Sequence, residues 1–151
     1  MQLTKDPELR EALVRARTIA VLGAHDDTGR AAFYVPDYLR DQGYRIIPVN
    51  PFLAGKEMWG ERVHSSLRDL ADEPIDLVDV FRRGRDLPGH LPELLGLKAR
   101  PLVVWFQLGI RNDEVAAQLE AAGITVVQDR CTLADHRRLG VPAVPLVAPA
   151  P

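Results

Sequence analysis

Short apolar runs recur along this chain, each closed by a glycine or a polar turn and each followed by residues at helical spacing. Thr18–Leu22 (TIAVL) is a β-branched run of the kind that forms a buried parallel strand. Gly23 ends it, and Ala24–Arg30 is polar and short-chained, which is loop chemistry. Tyr34, Val35, Tyr38 and Leu39 then fall on one helical face, and Gly43 closes the helix. Tyr44–Val49 reads as a second strand that Pro48 puts near an edge or at its end. Asn50–Glu61 is a long glycine-bearing connection, and Val63–Leu70 has room for a short helix. Ile75–Phe81 is a third strand interrupted by Asp76 and Asp79. Pro88–Leu97 is a helix with Leu91, Leu94 and Leu95 inward, and Pro101–Phe106, the most apolar run, is expected as a central strand. Asn112 caps a helix through Ala122 that Gly123 stops, Ile124–Val127 is a fifth strand, and Thr132 is expected to cap a last short helix to Leu139. Ahead of all this, Asp6 as N-cap and Pro7 in the first turn begin a helix with Leu9, Leu13 and Val14 as its apolar stripe. That helix should lie across the sheet or its edge.

Strands alternate with helices from Thr18 to Val127. This predicts an α/β protein: a Rossmann-like, doubly wound, five-stranded parallel sheet with helices on both faces. Residues 1–140 would be a single domain. Residues 141–151, rich in proline, would be an extended or polyproline tail, partly ordered at best. Ligands of such sheets bind beyond the carboxyl ends of the strands, near the topological switch point. The stretches to inspect are therefore Gly23–Arg30, Asn50–Pro51, Arg82–Arg85, Gln107–Ile110 and Asp129–Cys131.

The first strand, glycine turn and helix make a unit that aims backbone N–H groups and the positive end of a helix dipole at one spot, which suits a phosphate. The alternative is a tight turn with no ligand. A dinucleotide fingerprint G-x-G-x-x-G is missing, because Gly23 is followed by Ala24 and His25 and the next glycine is Gly29. The acid that would hold nicotinamide-ribose hydroxyls is missing too: the second strand ends Val49-Asn50-Pro51.

Composition narrows the classes. The chain has 151 residues, 46% hydrophobic and 26% charged, long enough for one substantial core. A formal net charge of -2 gives no general affinity for nucleic acid or anionic membrane. No apolar run approaches the roughly 20 residues of a membrane span, and the amino terminus lacks an apolar signal core. The single cysteine, Cys131, excludes an internal disulfide and suits a reducing cytoplasm. His25, His64, His90 and His136 are scattered, with no pair at helical metal spacing, so no metal site is expected. Cys131 and His136 are conceivable as a thiolate–imidazole pair, but a buried structural cysteine is the plainer reading.

Five pieces in order, VLGAHDDTGRAAFYVPDYL, GYRIIPVNP, LVDVFR, VWFQLGI and VVQDRC with the following His136, resemble the small stand-alone CoA-binding proteins. These are similar to the CoA-binding domain of the succinyl-CoA synthetase α subunit. The resemblance covers nearly all of Thr18–Leu139 and implies coenzyme A as the ligand. The diphosphate would lie over Gly23, Ala24 and His25 and the helix start at Ala31. Asn50 and Pro51, with Val49 before them, would border the nucleotide. Phe81 and Arg82 would lie beside the adenosine, and Gln107, Gly109 and Ile110 would approach from the fourth strand exit. Many relatives carry a lysine and prolines in the first loop, whereas this chain has Asp26, Asp27, Thr28 and Gly29. Two acids disfavour a phosphate unless they point away, and Arg30 can offset them. The phosphohistidine domain of the synthetase is absent from this chain, so the ligase reaction does not carry over.

Several residues keep two readings. Arg82 is a phosphate partner by charge and position, and Arg30 either a phosphate partner or a solvated surface arginine; Arg83 and Arg85 read also as a solvated basic loop, and Lys56 as a surface lysine before a phosphate contact. Gly109 would permit close backbone approach. Tyr34 and Trp105 read as core, and Trp59 as a packing anchor, a subunit contact or part of a pocket. The function expected is binding of CoA or an acyl-CoA without catalysis, alone, as a homodimer or beside a partner enzyme. The alternatives are an NAD-type oxidoreductase or acyl-CoA-handling enzyme, and a regulatory module that has lost its ligand.

Overall fold

The computed structural model describes residues 1–100 and 102–145. Pro101 and positions 146–151 of the expected tail lie outside the described residues. The elements run in chain order as α1 (Asp6–Arg15), β1 (Thr18–Leu22), α2 (Ala31–Asp41), β2 (Arg45–Val49), β3 (Glu57–Met58), β4 (Glu61–Arg62), β5 (Leu77–Val80), α3 (Leu87–Leu95), β6 (Val103–Phe106), α4 (Asp113–Ala121), β7 (Thr125–Val127) and α5 (Thr132–Arg138). Short 3-10 turns at Leu67–Leu70 and Gly84–Asp86 complete the set.

Five strands form one parallel sheet in the order β2-β1-β5-β6-β7, with Ile19 beside Ile46 and Leu77, and Val80 beside Phe106. The chain leaves β1 for the edge strand β2, then returns to the other side of β1 as β5. This reversal is the switch point, and it opens between the exits of β1 and β5. Pro48, which has no N–H to give a ladder, is on that edge strand as its chemistry requires. β6 is interior between β5 and β7, while β5 is the middle strand. At the far edge the backbone of residues 1–3 continues the sheet: Leu3 N–H donates to Val126 O at 2.9 Å, and Val126 N–H to Met1 O at 2.9 Å.

Both sheet faces are covered. One carries Leu9 and Leu13 of α1 and Val35 and Leu39 of α2, packed with Ile19, Leu77 and Trp105. The other carries Leu87 and Leu94 of α3 and Val115 and Leu119 of α4, packed with Ala20, Val78, Val80, Val104 and Phe106. Each fully buried Leu or Phe contributes roughly 1.5–3 kcal/mol relative to exposure, so these two layers hold the strand ends in place. No helix among the described residues is long and apolar enough to cross a membrane.

Local details depart from the sequence expectations. Lys5, not Asp6, is the N-cap of α1; Asp6 is the first helical residue, where its charge still favours the helix dipole. Cys131, not Thr132, caps α5, because the Thr132 hydroxyl bonds elsewhere. The Asn50–Glu61 connection contains the hairpin β3–β4, clipped to α2 by Trp59, whose indole N–H donates to Asp37 at 3.2 Å and whose ring packs on Phe33. α3 starts earlier than expected, so Leu87 is buried and Leu95 is exposed. In the short described part of the tail, Val141 is buried and Val144 N–H donates to Gln42 O at 2.7 Å, while Pro142, Ala143 and Pro145 are exposed.

Candidate functional site

All five strand exits lie at one end of the sheet, as parallel strands demand. At the switch point the exits of β1 and β5 touch. Phe81 N–H donates to Leu22 O at 2.8 Å. Gly23 has φ +91°, and a Cβ there would stand 2.8 Å from Phe81 O and 3.2 Å from Arg82 Nε. Glycine is thus required twice, for a left-handed backbone and for the close approach of the Phe81 carbonyl, with the Arg82 side chain lying beside it. Arg82 Nε is sealed from solvent and has no hydrogen-bond partner among the described residues. A buried guanidinium nitrogen without an acceptor is costly. Here it sits against the glycine turn where a phosphate was expected.

The turn differs from the expectation in its free donors. Gly23 and Ala24 N–H groups both donate to Val49 O, at 2.9 and 3.2 Å, and His25 N–H donates to Ala32 O at 3.3 Å. These three amides are therefore engaged, and Gly23, Ala24 and Val49 form a stitched wall rather than an open anion cradle. Ala31 and Ala32 start α2, so no preceding helical turn supplies acceptors for their N–H groups, and the positive end of the helix remains beside the loop.

Asn50 is a clamp. It is buried, its Nδ2 donates to Ala24 O at 2.7 Å, and its Oδ1 accepts from Phe52 N–H at 2.9 Å. It ties the β1 and β2 exits together through its own polar atoms, and Pro51 beside it is exposed. Asp26 and Asp27 do not enter the mouth. Both are exposed; Asp26 faces Lys56 at 3.7 Å and His25 at 3.6 Å, and Asp27 accepts from Gly29 N–H at 3.0 Å and faces Arg30 at 3.5 Å. His25 Nδ1 accepts from Asp27 N–H at 2.9 Å. Arg83 pairs with Asp86 at 3.0 Å and Arg85 is exposed, so the basic loop is solvated apart from Arg82.

Between the start of α2 and the exits of β5 and β6 lies a cleft of about 360 Å³. Arg30, Ala31, Phe81, Gln107 and Ile110 line it, together with Ala32, Tyr34, Val35, Leu108 and Cys131. Tyr34 is therefore not core: its ring is 49% exposed on the cleft wall, and Leu108 beside it is 71% exposed. Cys131 is half-buried in the same wall rather than sealed in the core. It makes no pair with His136, whose Nδ1 faces the Tyr38 hydroxyl at 2.8 Å and whose Nε2 is buried without a partner. Gly109 has φ +84°, its N–H donates to Asp129 at 2.6 Å, and a Cβ there would meet nothing within 4 Å. Its glycine serves the backbone conformation, and the space beside it is open on the protein side.

Beneath the cleft is a polar set that the sequence reading did not assemble. Asp79 is fully buried in β5, where Oδ1 accepts from Gln107 Nε2 at 2.6 Å and Oδ2 accepts from the Thr132 hydroxyl at 2.9 Å. Burial pushes the Asp79 carboxyl up to about 7, and the two hydrogen bonds pull against that rise. Among the described residues, no three His, Cys, Asp or Glu side chains gather into a set that could hold a metal ion.

A family profile described as CoA binding domain matches residues 17–137. YneT, an uncharacterized protein of Bacillus subtilis (strain 168), is 40% identical over 136 residues, covering 90% of this chain and 97% of its own. The structure of cell-free ID.343 from Thermus thermophilus superposes with a TM-score of 0.85 at 54% identity, covering 90% of this chain and 99% of that one. A hypothetical protein from Pyrococcus horikoshii OT3 superposes with a TM-score of 0.81 at 32% identity, over 90% and 92% of the two chains.

Proposed function

This chain belongs to the CoA binding domain family, and from that premise we propose that it binds coenzyme A or an acyl-CoA across the carboxyl ends of β1, β2, β5 and β6, without a catalytic step of its own. The observation that carries the reading is Arg82. Its Nε is buried and unpartnered against Gly23 at the switch point, in want of an anion. An Arg82 side chain that swings off the Gly23 turn would gain from a phosphate of CoA the acceptor its Nε now lacks, with the N-terminal end of α2 adding favourable potential from the side. Arg30 and Lys56 stand over the same loop, held only by exposed pairs with Asp27 and Asp26 that a phosphate can outcompete. The carboxylates leave the mouth clear, and the largely apolar cleft beyond it gives the uncharged arm of the cofactor a place to lie. The reducing cytoplasm is the proposed setting, in keeping with the lone thiol of Cys131.

Calorimetric titration of the purified chain with CoA, acetyl-CoA and NAD tests the reading. Binding of CoA with no NAD signal is the expected result. An NAD signal favours an oxidoreductase, and silence from all three a module without a ligand. Arg82→Ala should weaken CoA binding by about ten-fold or more, the loss of a charge-assisted contact. Its melting temperature should stay near that of the parent, because the change removes an unsatisfied buried donor as well as some packing. Unaltered affinity would take Arg82 out of the site.

A further inference from the structure

Gln107 follows β6 directly, with its side-chain amide gripped from one side. Nε2 donates to Asp79 Oδ1 at 2.6 Å and to Thr132 Oγ1 at 2.8 Å, while the Thr132 hydroxyl donates to Asp79 Oδ2 at 2.9 Å. Both N–H bonds of the amide are thereby engaged. With Asp79 ionised, turning the amide over would set its oxygen against the carboxylate and leave the Thr132 hydroxyl to donate to one oxygen or the other, so the direction with both N–H groups engaged is the favoured one. The opposite atom, Oε1, receives no hydrogen bond from any described residue. Unlike Arg82 Nε and His136 Nε2, it is not sealed, and Gln107, 4% exposed, walls the cleft with Phe81, Ile110 and Leu108. Apart from Arg30 at the rim, that wall carries no charge. An uncharged apolar wall with one fixed acceptor repels phosphate and carboxylate oxygens and suits a neutral chain that bears N–H donors.

We infer that Gln107 Oε1 accepts an amide N–H of the pantetheine arm of CoA, and that Asp79 and Thr132 are positioning residues that aim it. This rests on the CoA reading above. It divides the site by chemistry: the phosphates belong to Arg82 and the α2 start, and the amides of the arm to the Gln107 end.

The experiment compares CoA with 3′-phosphoadenosine 5′-diphosphate, which keeps the nucleotide and lacks the arm, by calorimetry on the full chain at pH 8. The parent should bind CoA more tightly than the fragment. Gln107→Leu and Thr132→Val should each lose about ten-fold in CoA affinity, the worth of one neutral hydrogen bond, while fragment affinity stays unchanged. Thr132→Ser, which keeps the hydroxyl, should restore CoA binding. Thermal melts establish that the variants are folded; if Gln107→Leu is not, the Val and Ser pair at position 132 carries the comparison. Equal losses for CoA and fragment, or no loss for either, overturn the inference and leave the CoA site standing. A parent chain that binds neither compound removes the reading beneath it, and the inference with it.

Discussion

Asp79 is a carboxyl on a strand whose other residues are all buried and apolar. Its pKa rises from 3.8 to about 7, chiefly by burial. The folded state therefore binds a proton that the unfolded state has already released. The stabilising contribution is complete below pH 3.8 and is lost as pH rises through about 7. Asp79→Asn cannot titrate there. The stability of the parent relative to this variant should fall by on the order of 3 kcal/mol from pH 5 to pH 8, read from urea midpoints at the two values; a constant difference would mean the carboxyl is hydrated in solution. His136 works the other way. Burial lowers its pKa, so the unfolded state protonates first below about 6.5 and stability declines there, but this is common to both proteins and cancels in the comparison. The polar break at Asp79 is visible in IDLVDVF. Its partners are not, because Gln107 and Thr132 are 28 and 53 positions away and meet it only through the register of β5 on β6 and the turn into α5.

At the level of elements, the strong periodic segments were legible and the short ones were not. β1 matches its run residue for residue, and Asn112 caps α4 by accepting from Val115 N–H at 3.0 Å, as expected. The β3–β4 hairpin left no trace because two-residue strands are too short for alternation to register. Its anchor is Trp59, held in the left-handed region at φ 55° and bonded to Asp37. Trp59→Ala should release residues 57–62 to fast amide exchange and to proteolytic nicking, while exchange in β1 and β5 stays slow. Equal loosening of the sheet would show that the hairpin is integral to the fold instead of clipped onto it. The amides of Gly23 and Ala24 are not free as expected for a related reason: the β2 exit, far along the chain, supplies Val49 O as their acceptor.

For the molecule as a whole, the doubly wound sheet could be anticipated from strand–helix alternation, and Gly23, Asn50 and Arg82 could be placed at its strand exits, whereas the contacts among those exits could not. Sequence puts the three in separate loops; the reversal of strand order decides that Arg82 lies on the Gly23 turn and that Asn50 bonds to Ala24. Asn50→Ala would leave Ala24 O and Phe52 N–H without their partner, a loss of roughly 1–3 kcal/mol in urea unfolding. It should also weaken CoA binding by letting the first loop drift; unchanged stability would place the clamp outside the cooperative unit. The clamp has one more property, which concerns ageing. Asparagine side chains convert to aspartate over time when the next residue's main-chain nitrogen attacks them to form a cyclic imide. Position 51 is proline, whose ring nitrogen has no hydrogen to give up. The tie between the two loops is thus shielded from spontaneous deamidation, and a long-lived molecule would keep a neutral amide, rather than a new anion, beside the mouth.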